Sequence, residues 1–191
     1  MKYSIPIILG TVRQGRSSEH VAKFLLKKIG ENPEIETQIF DPRDMKLPAD
    51  DEGQDIKDSA PEWRDAIIKA DGLVMVVPEY NHGYPGSLKR VLDLLLDEYK
   101  HKPVAVAGVS MSPWGGTRVI EALTPVVREL GLSITDTDLN FSQVQNVFDE
   151  SGNIIEEETW SKRADGFVSE LLWMARALKW GRDNVKMEEA E

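Results

Sequence analysis

The sequence predicts an α/β fold, a three-layer sandwich in which one five-stranded parallel sheet carries helices on both faces. Three observations predict it. Apolar runs of strand length alternate with helical patterns five times along the chain, with no internal repeat and no linker. Two of those runs, Leu73 to Val77 and Pro103 to Val109, are apolar without alternation, as strands covered on both faces are. The chain has 191 residues, 41% apolar and 29% charged, enough for one sizeable core and too apolar for a disordered chain. The expectation is a single domain over residues 1–191.

The elements follow in order. Tyr3 to Leu9 is a β-rich run ending at Gly10, and a helix from Ser17 places Val21, Phe24, Leu25 and Ile29 on one face. Ile35 to Phe40 alternates as a strand. The polar stretch from Asp41 to Ala60, with Pro42, Pro48 and Gly53, reads as a long loop. Pro61 suits the first position of a helix containing Trp63 and Ile67. The third strand, Leu73 to Val77, leads through PEYNHGYPG to a helix that buries Leu88, Val91, Leu92 and Leu95. The fourth strand leads through SMSPWGG to a helix with Val119, Leu123, Val126, Val127 and Leu130, stopped by Gly131 at the expected C-cap. Leu132 to Leu139 reads as the fifth strand and FSQVQNVFDESGN as a connector. A last helix runs from about Thr159 to Trp180, its tryptophans (Trp160, Trp173, Trp180) read as packing residues. Residues 183–191 form a frayed acidic tail.

Composition excludes several functions. Lysine plus arginine is 23 and aspartate plus glutamate 33, so 23 − 33 gives a net charge of −10. That charge disfavours nonspecific binding to nucleic acid or an anionic membrane. The absence of cysteine excludes disulfides, thiolate catalysis and cysteine-ligated metals. Three histidines (His20, His82, His101) without partner spacing suggest no metal. The N-terminal apolar run is too short for a signal peptide or a membrane span, so the protein is expected to be soluble and cytoplasmic.

Open parallel sheets bind ligands beyond the carboxyl ends of their strands, at the topological switch point. In a flavodoxin-like order, 2-1-3-4-5, that point lies between strands one and three. The loops after strands one, three and four are therefore the place for a site, and they are the three unusual loops of this sequence.

The first loop is Gly10-Thr11-Val12-Arg13-Gln14-Gly15-Arg16-Ser17-Ser18, followed at once by a helix. The free N–H groups and dipole at a helix N-terminus favour an anion. Arg13 and Arg16 add fixed charge and forked donors that match phosphate geometry. A phosphate site is favoured over the blander reading, a capped helix with solvated arginines. It is neither the GxGxxG fingerprint nor a Walker A loop, since neither pattern is present.

The second loop, Pro78-Glu79-Tyr80-Asn81-His82-Gly83-Tyr84-Pro85-Gly86-Ser87-Leu88-Lys89, suits a planar heterocycle, with backbone groups for ring nitrogens and oxygens and aromatic rings for a face. The alternative is a rigid turn in which Pro85 merely starts the next helix. PEYNHGYPGSLK resembles the PEYN…PG.LK signature of the NADPH-dependent FMN reductase family, which includes azoreductase-like and quinone or chromate reductases. GTVRQGRSS is similar to that family's G-S-x-R-x-x-S phosphate loop. The resemblance runs from about Ile5 to Leu130, with a looser match around the final helix.

The resemblance implies bound flavin mononucleotide (FMN), with NADPH or NADH as co-substrate. Thr11, Arg13, Ser17 and Ser18 match positions that hold the FMN phosphate, and Arg16 falls in a variable slot beside them. Pro78, Glu79, Tyr80 and Asn81 match the segment lining the isoalloxazine ring. Thr11 stands where serine is usual, keeping the hydroxyl, and Arg90 where asparagine is common.

The third loop is Ser110-Met111-Ser112-Pro113-Trp114-Gly115-Gly116-Thr117. Paired glycines let backbone approach a ligand, and the family uses such a loop against the pyrimidine end of the flavin. Ser110, Gly115 and Gly116 are the residues expected there. His82, Tyr84 and Trp114 are candidate substrate contacts, with surface or packing roles as the alternative. Arg118 reads as an ordinary helix-surface arginine.

No nucleophile elbow or acid–base pair is present, so the cofactor is expected to carry the chemistry, with no catalytic side chain. By analogy with the family, hydride passes from nicotinamide to flavin and then two electrons pass to a small-molecule electron acceptor, in a ping-pong scheme. A homodimer or homotetramer is implied too, with the helices after strands three and four as candidate interfaces. Two other readings stand beside this one: a flavodoxin-type electron carrier, which the arginines of the phosphate loop disfavour, and an FMN-based redox sensor.

Overall fold

The computed structural model describes residues 2–49 and 53–186. Strand β1 is made of Tyr3–Ser4 and Ile7–Leu9, and β2 of Ile35–Glu36 and Ile39–Phe40. Pro6 has no N–H to give, which interrupts β1. The pairing carries across the gap through the Ile5 N–H to Glu36 (2.9 Å) and the Ile7 N–H to Gln38 (2.8 Å). Strand β3 is Leu73–Pro78, β4 is Pro103–Val109, and β5 is Ser133–Ile134 and Leu139–Phe141. All pairings are parallel and the order is 2-1-3-4-5.

The helices are α1 (Ser18–Gly30), α2 (Pro61–Lys69), α3 (Gly86–Leu92), α4 (Thr117–Glu129) and α5 (Glu157–Asn184). A 3₁₀ segment, Gly53–Ser59, lies within the stretch expected as loop. Each central strand splits its apolar residues between two cores. Ile7, Leu9, Val74, Val76, Ala105 and Ala107 face α1 and α5. Ile8, Met75, Val77, Val104 and Val106 face α2, α3 and α4. The continuous apolar runs of the sequence are therefore two interleaved faces, each covered. α4 ends in a Schellman motif: Gly131, at φ +73°, donates to Arg128 (3.0 Å) and Leu132 donates to Val127 (3.1 Å).

Several expectations are corrected. The fifth strand does not run from Leu132 to Leu139. It breaks at residues 135–138 and resumes to Phe141, because Thr-Asp-Thr-Asp brings carboxylates that resist burial. Burial, and then the charge of Asp136, push the Asp138 carboxyl above its ordinary range. Phe141 is consequently core, with Trp160 stacked on it at 4.4 Å between ring centroids. Trp173 and Trp180 do not pack within the chain; each is 64% exposed. The apolar residues of α3 and α4 lie in the intrachain core rather than on an open face. α5 reaches Asn184, so residues 183–184 of the expected tail are helical, and residues 187–191 lie outside the described residues. No helix among the described residues is long and apolar enough to cross a membrane.

Candidate functional site

The carboxyl ends of β1, β3 and β4 stand side by side, and the loops that leave them enclose a cleft of about 290 Å³. From the first loop Thr11, Arg13, Gly15, Arg16, Ser17 and Ser18 line it, and from the second Pro78, Glu79 and Tyr80. The third loop supplies Ser110, Met111 and Ser112, and Val144 closes the wall.

The first loop runs directly into α1. The Ser17 side chain makes no capping bond, and the Ser18 hydroxyl is buried at the start of the helix without a hydrogen-bond partner among the described residues. Arg13 is exposed and, among the described residues, forms no ion pair. A free guanidinium, an unsatisfied hydroxyl and a helix N-terminus thus face one space, the requirements of a bound anion.

Arg16 behaves differently from Arg13, three positions back. Its side chain is 3% exposed and forks onto the Asp41 carboxylate at the end of β2; one donor, Nη1, also reaches the Thr11 carbonyl. Arg16 lines the cleft, as expected, but Nη1 and Nη2 are taken by Thr11 and Asp41, and Nε alone is left without a partner among the described residues. Burial works to raise the Asp41 carboxyl, yet its bonds to Arg16 and Arg43 outweigh that and hold it below the ordinary carboxylate range.

In the second loop, Glu79 extends β3 by donating its N–H to Val109 (2.9 Å). Its side chain is 7% exposed; Oε1 lies 3.7 Å from Arg118, and Oε2 is buried without a partner among the described residues. A buried carboxylate oxygen with nothing to accept from calls for a donor in the cleft. Tyr80 and Gly83 exchange both backbone bonds (2.9 and 3.0 Å) across a tight turn whose tip, Asn81 and His82, takes positive φ (+51° and +68°). Asn81 and His82 are exposed at that tip, and Tyr84 packs on the α2–α4 core; none of the three lines the cleft.

The third loop places Ser110 in the cleft, its hydroxyl 2.9 Å from that of Ser112. Gly115 and Gly116, expected at the flavin, do not line the cleft. They fold back on the sheet: a Cβ at Gly116 would stand 2.7 Å from the Val109 nitrogen, and one at Gly115 2.8 Å from the Ser142 hydroxyl. Backbone packs closely on backbone at Gly116, the side chains of Ser142 and Asn140 crowd Gly115, and both residues take positive φ (+85° and +60°). Trp114 is exposed, with the Arg118 guanidinium 5.3 Å from its ring centroid. Arg118 is therefore more than a surface residue, since it joins Trp114 to Glu79. Met111 and Ser112, inside the predicted third loop, and Val144, in the connector after β5, also line the cleft, and nothing in the residue types themselves marks them for it.

An open parallel sheet of order 2-1-3-4-5 with a helix N-terminus at its switch point defines the flavodoxin-like class of folds. Comparison with known proteins narrows the class. Residues 3–146 match the model of the NADPH-dependent FMN reductase family, and the chain belongs to that family of oxidoreductases. It is 31% identical over 160 residues to the NAD(P)H-dependent FMN reductase ntnL of Nectria sp, covering 75% of this chain and 78% of the relative. It is 26% identical over 181 residues to the FMN-dependent NADPH-azoreductase of Staphylococcus haemolyticus, covering 87% and 92%. Among solved structures, the flavoenzyme NAD(P)H:(acceptor) oxidoreductase FerB of Paracoccus denitrificans superposes with a TM-score of 0.74 at 21% identity, over 90% of this chain and 98% of that one. That likeness speaks to the fold.

Proposed function

We propose that the protein binds FMN in the three-loop cleft and passes electrons from NAD(P)H to a small-molecule acceptor in a ping-pong scheme. The acceptor classes are a quinone, an azo compound, a metal oxyanion or free flavin. The observation that carries this reading is the complementarity of two of the three unsatisfied buried groups on residues lining one cleft, Arg16 Nε being the third. The Ser18 hydroxyl, beside Arg13 at a helix N-terminus, needs an acceptor; Glu79 Oε2 needs a donor. A phosphate at one end and a hydrogen-bond donor at the other would satisfy both.

Bound FMN would supply the redox chemistry, taking hydride from the nicotinamide and giving two electrons to the acceptor. The chain's part is to bind and orient. Arg13, Ser18 and the first N–H groups of α1 would hold the phosphate. Thr11 would hold its end of the loop, and Pro78, Glu79 and Tyr80 would form one wall of the ring site. Ser110 and Ser112 offer hydroxyls at the opposite wall. Asn81, His82 and Tyr84 lie on the far side of the second loop, so they would serve the flavin and its substrates only at the margin. Met111 (70% exposed) and Trp114 (60% exposed) leave apolar surface beside the mouth, fit for an acceptor's ring or for a second copy in a homodimer or homotetramer. A cytoplasmic location belongs to the same proposal.

Steady-state rates with NADPH and a benzoquinone varied together test the scheme. Parallel double-reciprocal lines are the expected result. Intersecting lines would remove the ping-pong order, and no quinone- or dye-dependent NADPH oxidation at all would remove the enzyme.

A further inference from the structure

We propose that Arg16 is a positioning residue rather than an anion ligand, and that Asp41 is its working partner. Together they latch the Thr11–Ser17 loop in the shape that presents Arg13 and the Ser18 hydroxyl to the cofactor phosphate. The inference rests on the FMN reading above and deepens it.

The geometry carries the assignment. Arg16 Nη1 donates both to the Thr11 carbonyl and to Asp41 Oδ1 (3.0 Å), while Nη2 donates to Asp41 Oδ2. One guanidinium therefore ties the start of the loop, at Thr11, to its end, at residue 16, and anchors both to the carboxyl end of β2. The loop cannot open without breaking a nearly buried bidentate pair, and stripping one member of such a pair leaves the other charge uncompensated. Arg16 Nε is buried without a hydrogen-bond partner among the described residues, with Glu19 Oε2 3.8 Å away.

The neighbouring ion pairs lead to the same place. Arg43 also bonds Asp41 (Nε to Oδ2, 3.2 Å) and Glu19 (3.2 Å). Glu19 pairs with Lys23 as well (2.9 Å), so Arg16 is held in a network of three cations and two carboxylates beside the loop. Arg13 lies outside that network and forms no ion pair among the described residues. Asp41 does not line the cleft, so it acts only through Arg16. A lysine could supply a charge at position 16 but not the planar fork that reaches Thr11 and both carboxylate oxygens at once.

The test compares FMN with riboflavin, which lacks the phosphate, in titrations of the apo-protein, its Asp41→Asn variant and its Arg16→Lys variant. As positioning residues, both predict an FMN Kd raised about tenfold or more, with riboflavin moved less than about twofold. If Arg16 instead bound phosphate directly, Asp41→Asn would release its charge and tighten FMN, and Arg16→Lys would bind nearly as wild type. Either result overturns the proposal, as does an equal loss for both ligands, which a merely structural defect would give. Should Asp41→Asn fail to fold, Arg16→Lys decides alone. Should the wild type bind neither ligand, the FMN reading fails and the latch is judged by amide exchange over residues 12–16: faster exchange in Asp41→Asn supports it, and unchanged exchange overturns it.

Discussion

The Thr11 hydroxyl and the Tyr80 phenol lie 2.8 Å apart, joining two loops whose residues are 69 positions apart in the chain. Thr11 Oγ1 also accepts the Arg13 N–H (3.2 Å). The wall of the proposed ring site and the loop of the proposed phosphate site are therefore one hydrogen-bonded unit before any ligand arrives. Tyr80→Phe removes the phenol and leaves the Thr11–Arg13 bond. It is expected to weaken FMN severalfold, the loss of about 1 kcal/mol for one hydrogen bond, and to lower the melting temperature by no more than about 4 °C. A fluorescence-quenching titration beside a thermal melt reads both, and an unchanged affinity would uncouple the two loops.

Arg13→Ala is expected to raise the FMN Kd about tenfold or more while leaving riboflavin binding and the fold intact, because Arg13 is exposed and forms no ion pair among the described residues. Raising the ionic strength should narrow the difference between wild type and variant. Unchanged FMN affinity would remove the phosphate assignment.

Gly116 is a stability position rather than a ligand contact. Its φ is +85°, and a Cβ there would stand 2.7 Å from the Val109 nitrogen and 2.8 Å from the Gly108 Cα. Gly116→Ala should destabilise by about 2–4 kcal/mol in urea denaturation. A near-neutral substitution would show that the loop yields and that the close packing is not what fixes glycine there.

The fold was largely legible in the sequence because each strand run and each helical face had its own period, and the chain alternates them without interruption. The breaks in β1 and β5 were less so. Pro6, with no N–H to give, and the carboxylates of 135–138 interrupt pairing without ending the strand, and where pairing resumes is set by the neighbouring strand. At the site, the loops could be placed but the directions of their side chains could not. Arg13 and Arg16 look alike in GTVRQGR, and only the arrival of Asp41 from β2 separates an outward charge from an inward one. Gly115 and Gly116, expected at the flavin, lie outside the cleft lining for a similar reason. Two glycines after a strand mark a close approach, and here what approaches is Gly108 and Ser142.

Lys102 gives the fold a pH signature away from the site. Its ammonium donates to the Ile67 and Ile68 carbonyls (2.5 and 3.2 Å) at the end of α2. Burial, with Arg182 adding to it, lowers its pKa from 10.5 to about 8. The folded state therefore holds fewer protons at this residue than the unfolded chain between about pH 8 and 10.5, so the contribution of Lys102 to stability rises with pH across that window. Urea titrations of wild type and Lys102→Met across the window should show their difference moving in favour of wild type as pH rises. A difference that is flat, or moves the other way, would contradict the assignment.

The central claim is that the three-loop cleft is an FMN site serving NAD(P)H oxidation. The most direct measurement is the visible spectrum of the protein after incubation with FMN and gel filtration, followed by anaerobic addition of NADPH. Flavin bands that travel with the protein and bleach on addition of NADPH are the predicted result. A protein that emerges without flavin would contradict the claim at its root, and bound flavin that NADPH fails to bleach would contradict the reductase while leaving the binding site.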